Sequence, residues 1–151
     1  MLDETFFLNY IWIAAILSTI FSAFILKVRS RKSVEENPDL QEGYNQIFLG
    51  YLILAIPWAV VGIGTVFGGV KDLFSFLKPR DGNPFVIAFH ITLFVVWLLN
   101  IWWLFFKGGA EILAKYPGAF GQNIQSPTLI KILYGAALAF GAVVIITMWF
   151  G

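Results

Sequence analysis

The chain has no cysteine, a single histidine (His90), and charge on only 13% of its residues. Without cysteine there are no disulfides, no thiolate metal sites and no cysteine redox chemistry. One histidine, with no carboxylate in any apolar run, cannot assemble a zinc or di-iron site, so no metal is expected. There is no Ser/His/Asp constellation and no phosphate-cradling loop, and Gly62-Ile63-Gly64 lies inside an apolar run. No catalytic motif is found. With a net charge of +1 and no basic stripe, nucleic acid is not an expected partner.

Where the charges are absent matters more than their number. Stretches 5–26, 47–70, 84–106 and 132–150 contain no Asp, Glu, Lys or Arg. Each is near or above the roughly 20 residues a helix needs to cross ~30 Å of hydrocarbon. These stretches scarcely interleave polar residues at the 3.6 period of a soluble amphipathic helix. The expected fold is an all-α integral membrane protein. Residues 1–151 would form one antiparallel four-transmembrane-helix bundle with short loops, whose first partner is the lipid bilayer. The acidic start, Met1 to Glu4, and the lack of a small-residue cleavage site predict that the first span is retained and is not a signal peptide.

Span one carries two rows of small residues at spacing four, Ala14/Ser18/Ser22 and Ala15/Thr19/Ala23, which suit close helix packing. Asn9 lies about one turn inside it, within reach of headgroups or water. The loop 27–46 groups Lys27, Arg29, Arg31 and Lys32 ahead of Glu35, Glu36, Asp39 and Glu42. The basic cluster reads as a topology determinant, with anionic lipid contact as the functional alternative. Asn37-Pro38-Asp39 has the pattern of an N-cap, a proline at the first helical position and an acidic first turn, so helix two is predicted to begin near Pro38.

Span two holds Pro57 at mid-membrane, a predicted kink, and then the Gly64/Gly68 pair of a GxxxG pattern. The second loop places Leu73, Phe74, Phe76 and Leu77 between Lys71 and Lys78, a pattern for one or two interfacial turns. Asn83-Pro84 and Ser126-Pro127 repeat the same helix-start device. Trp102, Trp103, Phe105 and Phe106 form an aromatic belt before Lys107. Gly108-Gly109 then predicts a break, followed by a short interfacial helix ending at Pro117-Gly118. If the helix survives the glycines, Lys107 and Glu111, four apart, are spaced to pair. Span four offers Gly135/Ala139 and Ala137/Gly141 as further close-packing pairs.

The excess of Lys and Arg in segments 27–46 and 107–131 over loop two predicts that those segments are cytoplasmic and that both termini are outside.

The third span contains the residues that invite a functional reading. His90 lies roughly 9 Å inside Pro84, and an ionisable group at that depth is a functional-site hypothesis. Asn100 follows about 15 Å further on, rotated by about 80°. Thr92 and Trp97 complete the candidate pathway-facing or ligand-facing set. His90 beside Trp97 suits a quinone or haem b, although one histidine per chain allows bis-histidine haem ligation only across a homodimer. The structural alternative is a neutral imidazole donating to a backbone carbonyl, with Asn100 joining helices through its amide.

Two function classes stay open. One is a non-catalytic membrane subunit that self-associates as a homo-oligomer or serves as an accessory to a larger membrane complex. The other is a homo-oligomeric channel or small-solute transporter lined by helix three. Haem or quinone binding at His90 is a third reading.

Overall fold

The computed structural model describes residues 4–116 and 124–150. Among these all the regular structure is helix, with no strand. Four helices are long and apolar enough to cross a membrane. The predicted stop at Pro117-Gly118 and the acidic Met1–Asp3 lie outside the described residues.

The first helix, α1, runs Glu4–Glu36, 33 residues or about 50 Å. It therefore does not stop where the charges begin, and 27–36 is helix and not loop. Charge ends a membrane-soluble run, but Lys, Arg and Glu are good helix formers, and no proline intervenes before Pro38. The chain then turns at Asn37, whose side chain accepts from the Asp39 amide at 3.2 Å. A 3-10 turn, Pro38–Leu40, leads into α2, Gln41–Leu54.

The second span begins at Pro38 and closes at Phe67, short of the predicted 70. It is interrupted at Ala55, and α3 covers Ile56–Phe67 with Pro57 buried in its first turn. Proline has no amide to donate, and just before it the Ala55 amide tightens to Leu52 O at 3.1 Å. The helix ends because the Gly68 and Val70 amides both turn to Gly64 O, at 3.0 and 3.2 Å, around Gly69 at φ +65. This is a left-handed glycine stop.

Two short 3-10 turns, Leu73–Leu77 and Pro79–Asp81, follow. Asp72 caps the first by accepting from the Ser75 amide at 2.8 Å. Asn83 caps α4 (Pro84–Ile101) by accepting from the Phe85 amide at 2.9 Å. Its amide nitrogen also donates to Gly68 O at 3.2 Å, joining the end of α3 to the start of α4. Helix α4 widens into a π-helical turn at Trp102–Phe106 and breaks at Gly108, φ +74. The short α5 is Gly109–Lys115, and α6 is Pro127–Phe150, five residues earlier than the charge-free run because Lys131 sits inside its first two turns.

Much of the helix packing consists of aromatic rings set on glycines. A Cβ at Gly62 would stand 2.6 Å from the Trp12 ring of α1, and one at Gly64 would stand 2.8 Å from the Phe76 ring and 2.9 Å from Phe85. Gly68 meets the Phe85 ring, Gly43 meets Tyr116, and Gly141 meets Trp97. The Gly64/Gly68 pair thus seats rings and does not admit a neighbouring backbone. Of the two rows on α1, Ala15/Thr19/Ala23 turns inward with Ala23 buried, while Ala14 and Ser18 are exposed and Ser22 is half-buried. On α6, Gly135 faces the Phe105 ring at 3.7 Å and Ala139 is exposed.

Most of the buried apolar residues fall into two clusters. One gathers Leu26, Tyr44, Ile47, Leu104, Leu113, Tyr116 and Ile130 around α5. The other gathers Val61, Val70, Phe76 and Val86 around the turns that precede α4.

Candidate functional site

His90 is buried, at 5% exposure, beside the second cluster. Its Nε2 lies 2.9 Å from the backbone carbonyl of Phe76, and its Nδ1 lies 3.2 Å from the indole Nε1 of Trp149. An indole nitrogen can only donate, so Nδ1 must accept. The neutral imidazole therefore carries its proton on Nε2 and donates it to Phe76 O. The Trp149 ring stands edge-on to the imidazole at 5.6 Å, and its own carbonyl accepts from Arg80 Nε at 2.8 Å. That carbonyl belongs to the last turn of α6, where the helix dipole favours a cation. Four groups from α4, α6 and the two 3-10 turns are thereby tied together.

This arrangement limits what His90 can do. Both ring nitrogens are engaged, so binding iron would first require breaking the bond to Phe76 or to Trp149. Protonation of Nδ1 would replace an acceptor with a donor facing the indole N–H. The geometry is that of a clamp.

The other candidates are satisfied close to home. Thr92 Oγ1 donates to Ala88 O at 2.7 Å, and Asn100 Nδ2 donates to Val96 O at 2.8 Å, each one turn back along α4. Thr19, Thr65 and Thr147 make the same i−4 bond at 2.7, 2.9 and 2.7 Å. Asn100 thus turns its amide into its own helix and not across to another. Trp97 fills the space above Gly141 on α6. The structure does not bring His90, Thr92, Trp97 and Asn100 to one another through any hydrogen bond.

At the opposite end, Lys131 Nζ meets Glu111 Oε1 at 2.7 Å, while Lys107 lies over the Trp102 ring at 5.0 Å. The expected Lys107–Glu111 pair does not form, because Gly108 redirects the chain and the four-residue spacing no longer spans a helix turn. The hydrogen bond from Lys131, more than the backbone bond, holds the Glu111 carboxyl below its usual 4.5. Trp103 Nε1 donates to Gln46 Oε1 at 3.1 Å. Tyr116 packs edge-on to Tyr44 at 4.8 Å, and loss of solvent raises its phenol above the ordinary value.

No family model, curated protein or solved structure matches this chain. The functional reading therefore rests on the geometry. Among the described residues no group of three His, Cys, Asp or Glu is placed to hold a metal ion. Arg80 and Trp149 are the residues that sequence reasoning missed. Trp149 reads as an interfacial aromatic, and nothing in its own surroundings shows that its indole meets a histidine 59 residues away.

Proposed function

We propose that this protein is a non-catalytic, multi-pass membrane subunit that works by assembly, with itself or within a larger membrane complex. The observation that supports this most directly is the local satisfaction of most polar groups in the apolar helices, Asn9 and Trp12 excepted. His90 is tied at both nitrogens, and Thr19, Thr65, Thr92, Asn100 and Thr147 are bonded within their own helices. A solute pathway needs such groups to converge on a hydrated axis.

The four long helices form an antiparallel bundle in this reading. Partner positions run in opposite chain order: Trp12 with Gly62 and Phe24 with Phe48, then His90 with Trp149, Trp97 with Gly141 and Phe105 with Gly135. Segments 27–46 and 107–131, with most of the Lys and Arg, lie in the cytoplasm, and both termini lie outside. The Ala14/Ser18 row, exposed on α1, and Ala139, exposed on α6, supply close-approach surfaces for a partner helix.

Native mass spectrometry of gently extracted protein tests the proposal. A homo-oligomer or a stoichiometric companion is the expected result. A lone monomer, or liposome flux abolished by His90→Ala or Asn100→Ala, would contradict it.

A further inference from the structure

We propose that a crevice between the first turns of α1 and the C-terminal end of α3 binds a glycerophospholipid whose headgroup carries a hydrogen-bond donor beside its phosphate. The inference rests on the membrane reading above. The crevice has a volume of about 440 Å³ and is lined by Asn9, Tyr10, Thr65, Val66, Gly69 and Lys71. That is the size of a small-ligand site.

Two observations set the chemistry of its occupant. Asn9 Oδ1 is buried without a hydrogen-bond partner, an acceptor lacking a donor. At the rim, Lys71 is exposed and belongs to neither of the ion pairs among the described residues. The Thr65 hydroxyl is already committed to Val61 O at 2.9 Å and takes no part.

A buried polar group left unpaired is costly, so the site favours a molecule that supplies the donor Asn9 lacks. The depth order fits a phospholipid. Lys71 lies beyond the end of α3, at headgroup level, where it meets phosphate. Asn9 takes the N–H of ethanolamine or the O–H of glycerol. Phosphatidylcholine has no N–H or O–H on its headgroup and cannot serve Asn9.

The test is native mass spectrometry of the full chain in detergent with equal amounts of phosphatidylethanolamine, phosphatidylglycerol or phosphatidylcholine. Binding of the first two should exceed the third by about tenfold, the size of one hydrogen bond. Asn9→Leu should erase that preference, and Lys71→Gln should weaken all three. Lys71 is exposed, so its variant remains informative if Asn9→Leu folds poorly. Soluble glycerophosphoethanolamine should compete only weakly. Equal binding of the three lipids, binding unchanged in Lys71→Gln, or full competition by the soluble headgroup would overturn the site while leaving the membrane reading intact.

Discussion

Where α4 begins, His90, Phe76, Trp149 and Arg80 are joined by directional hydrogen bonds reaching across three parts of the chain. Where α4 runs out, Tyr44, Tyr116, Leu113 and Ile130 meet through faces and edges of side chains. Long-range polar ties there include the Trp103–Gln46 bond, the Tyr116 bond to the Gly43 backbone and the exposed Lys131–Glu111 pair. The first end is specified by bond direction and tolerates little change in chemistry. The second is specified by shape, above all by Tyr116 over Gly43, and tolerates little change in volume. A polar tie deep in an apolar helix set can position elements as well as act on a ligand, and the two roles differ in whether any valence is left over.

Breaking each end should give different signatures. The largest effect is expected from Phe76→Ala, because the ring is fully buried at 0% exposure and lies against Gly64. A loss of about 3–5 kcal/mol is anticipated for such a truncation, read from reversible unfolding in detergent. Next comes His90→Leu, which fills similar space but strands the Phe76 carbonyl and the Trp149 indole. It should cost about 1–3 kcal/mol for each group left unpaired. Near-ultraviolet dichroism should register the loss of the fixed Trp149 environment. A variant as stable as the parent would show that the bonds at this end contribute nothing.

At the second end, Gly43→Ala puts a methyl group into space held by the Tyr116 phenol. Overpacking of this kind costs about 1–3 kcal/mol. Tyr116→Leu in the same chain should recover part of the loss, whereas it should do nothing for His90→Leu.

The smallest effect belongs to Glu111. Its folded carboxyl is held below 4.5, so the pair with Lys131 contributes fully above that value and is lost as pH falls through the lower folded value. Thermal scans on either side of 4.5 should therefore show an acid-side loss that Glu111→Gln removes. Both side chains are substantially exposed and screened by solvent, so the change should be slight.

Much of the helix set was legible because its punctuation is chemical. Asn37-Pro38, Asn83-Pro84 and Ser126-Pro127 start helices for reasons written in two residues, and Gly108-Gly109 breaks one. The end of α1 was not legible from charge. Lys27 to Lys32 mark where an apolar run ends, which is a different event from where its helix stops. The site was legible only in part. From its type and depth, a bond from His90 to a backbone carbonyl followed only as one of several open readings. Its second partner did not, because Trp149 arrives through tertiary packing of α6. The Lys107–Glu111 expectation assumed a continuous helix across a glycine that takes a positive φ. The π turn at Trp102–Phe106 has no signature in spacing or composition that we can name.

The chain's single histidine allows one measurement without ambiguity of assignment. Nitrogen-15 NMR of the imidazole in lipid bilayers would report which nitrogen carries the proton. The clamp predicts a neutral ring protonated at Nε2, with Nδ1 accepting from Trp149 and the Nε2 proton slow to exchange with water. A ring protonated at Nδ1, or one whose Nε2 proton exchanges freely, would contradict it and return His90 to the candidates for a ligand or a hydrated pathway.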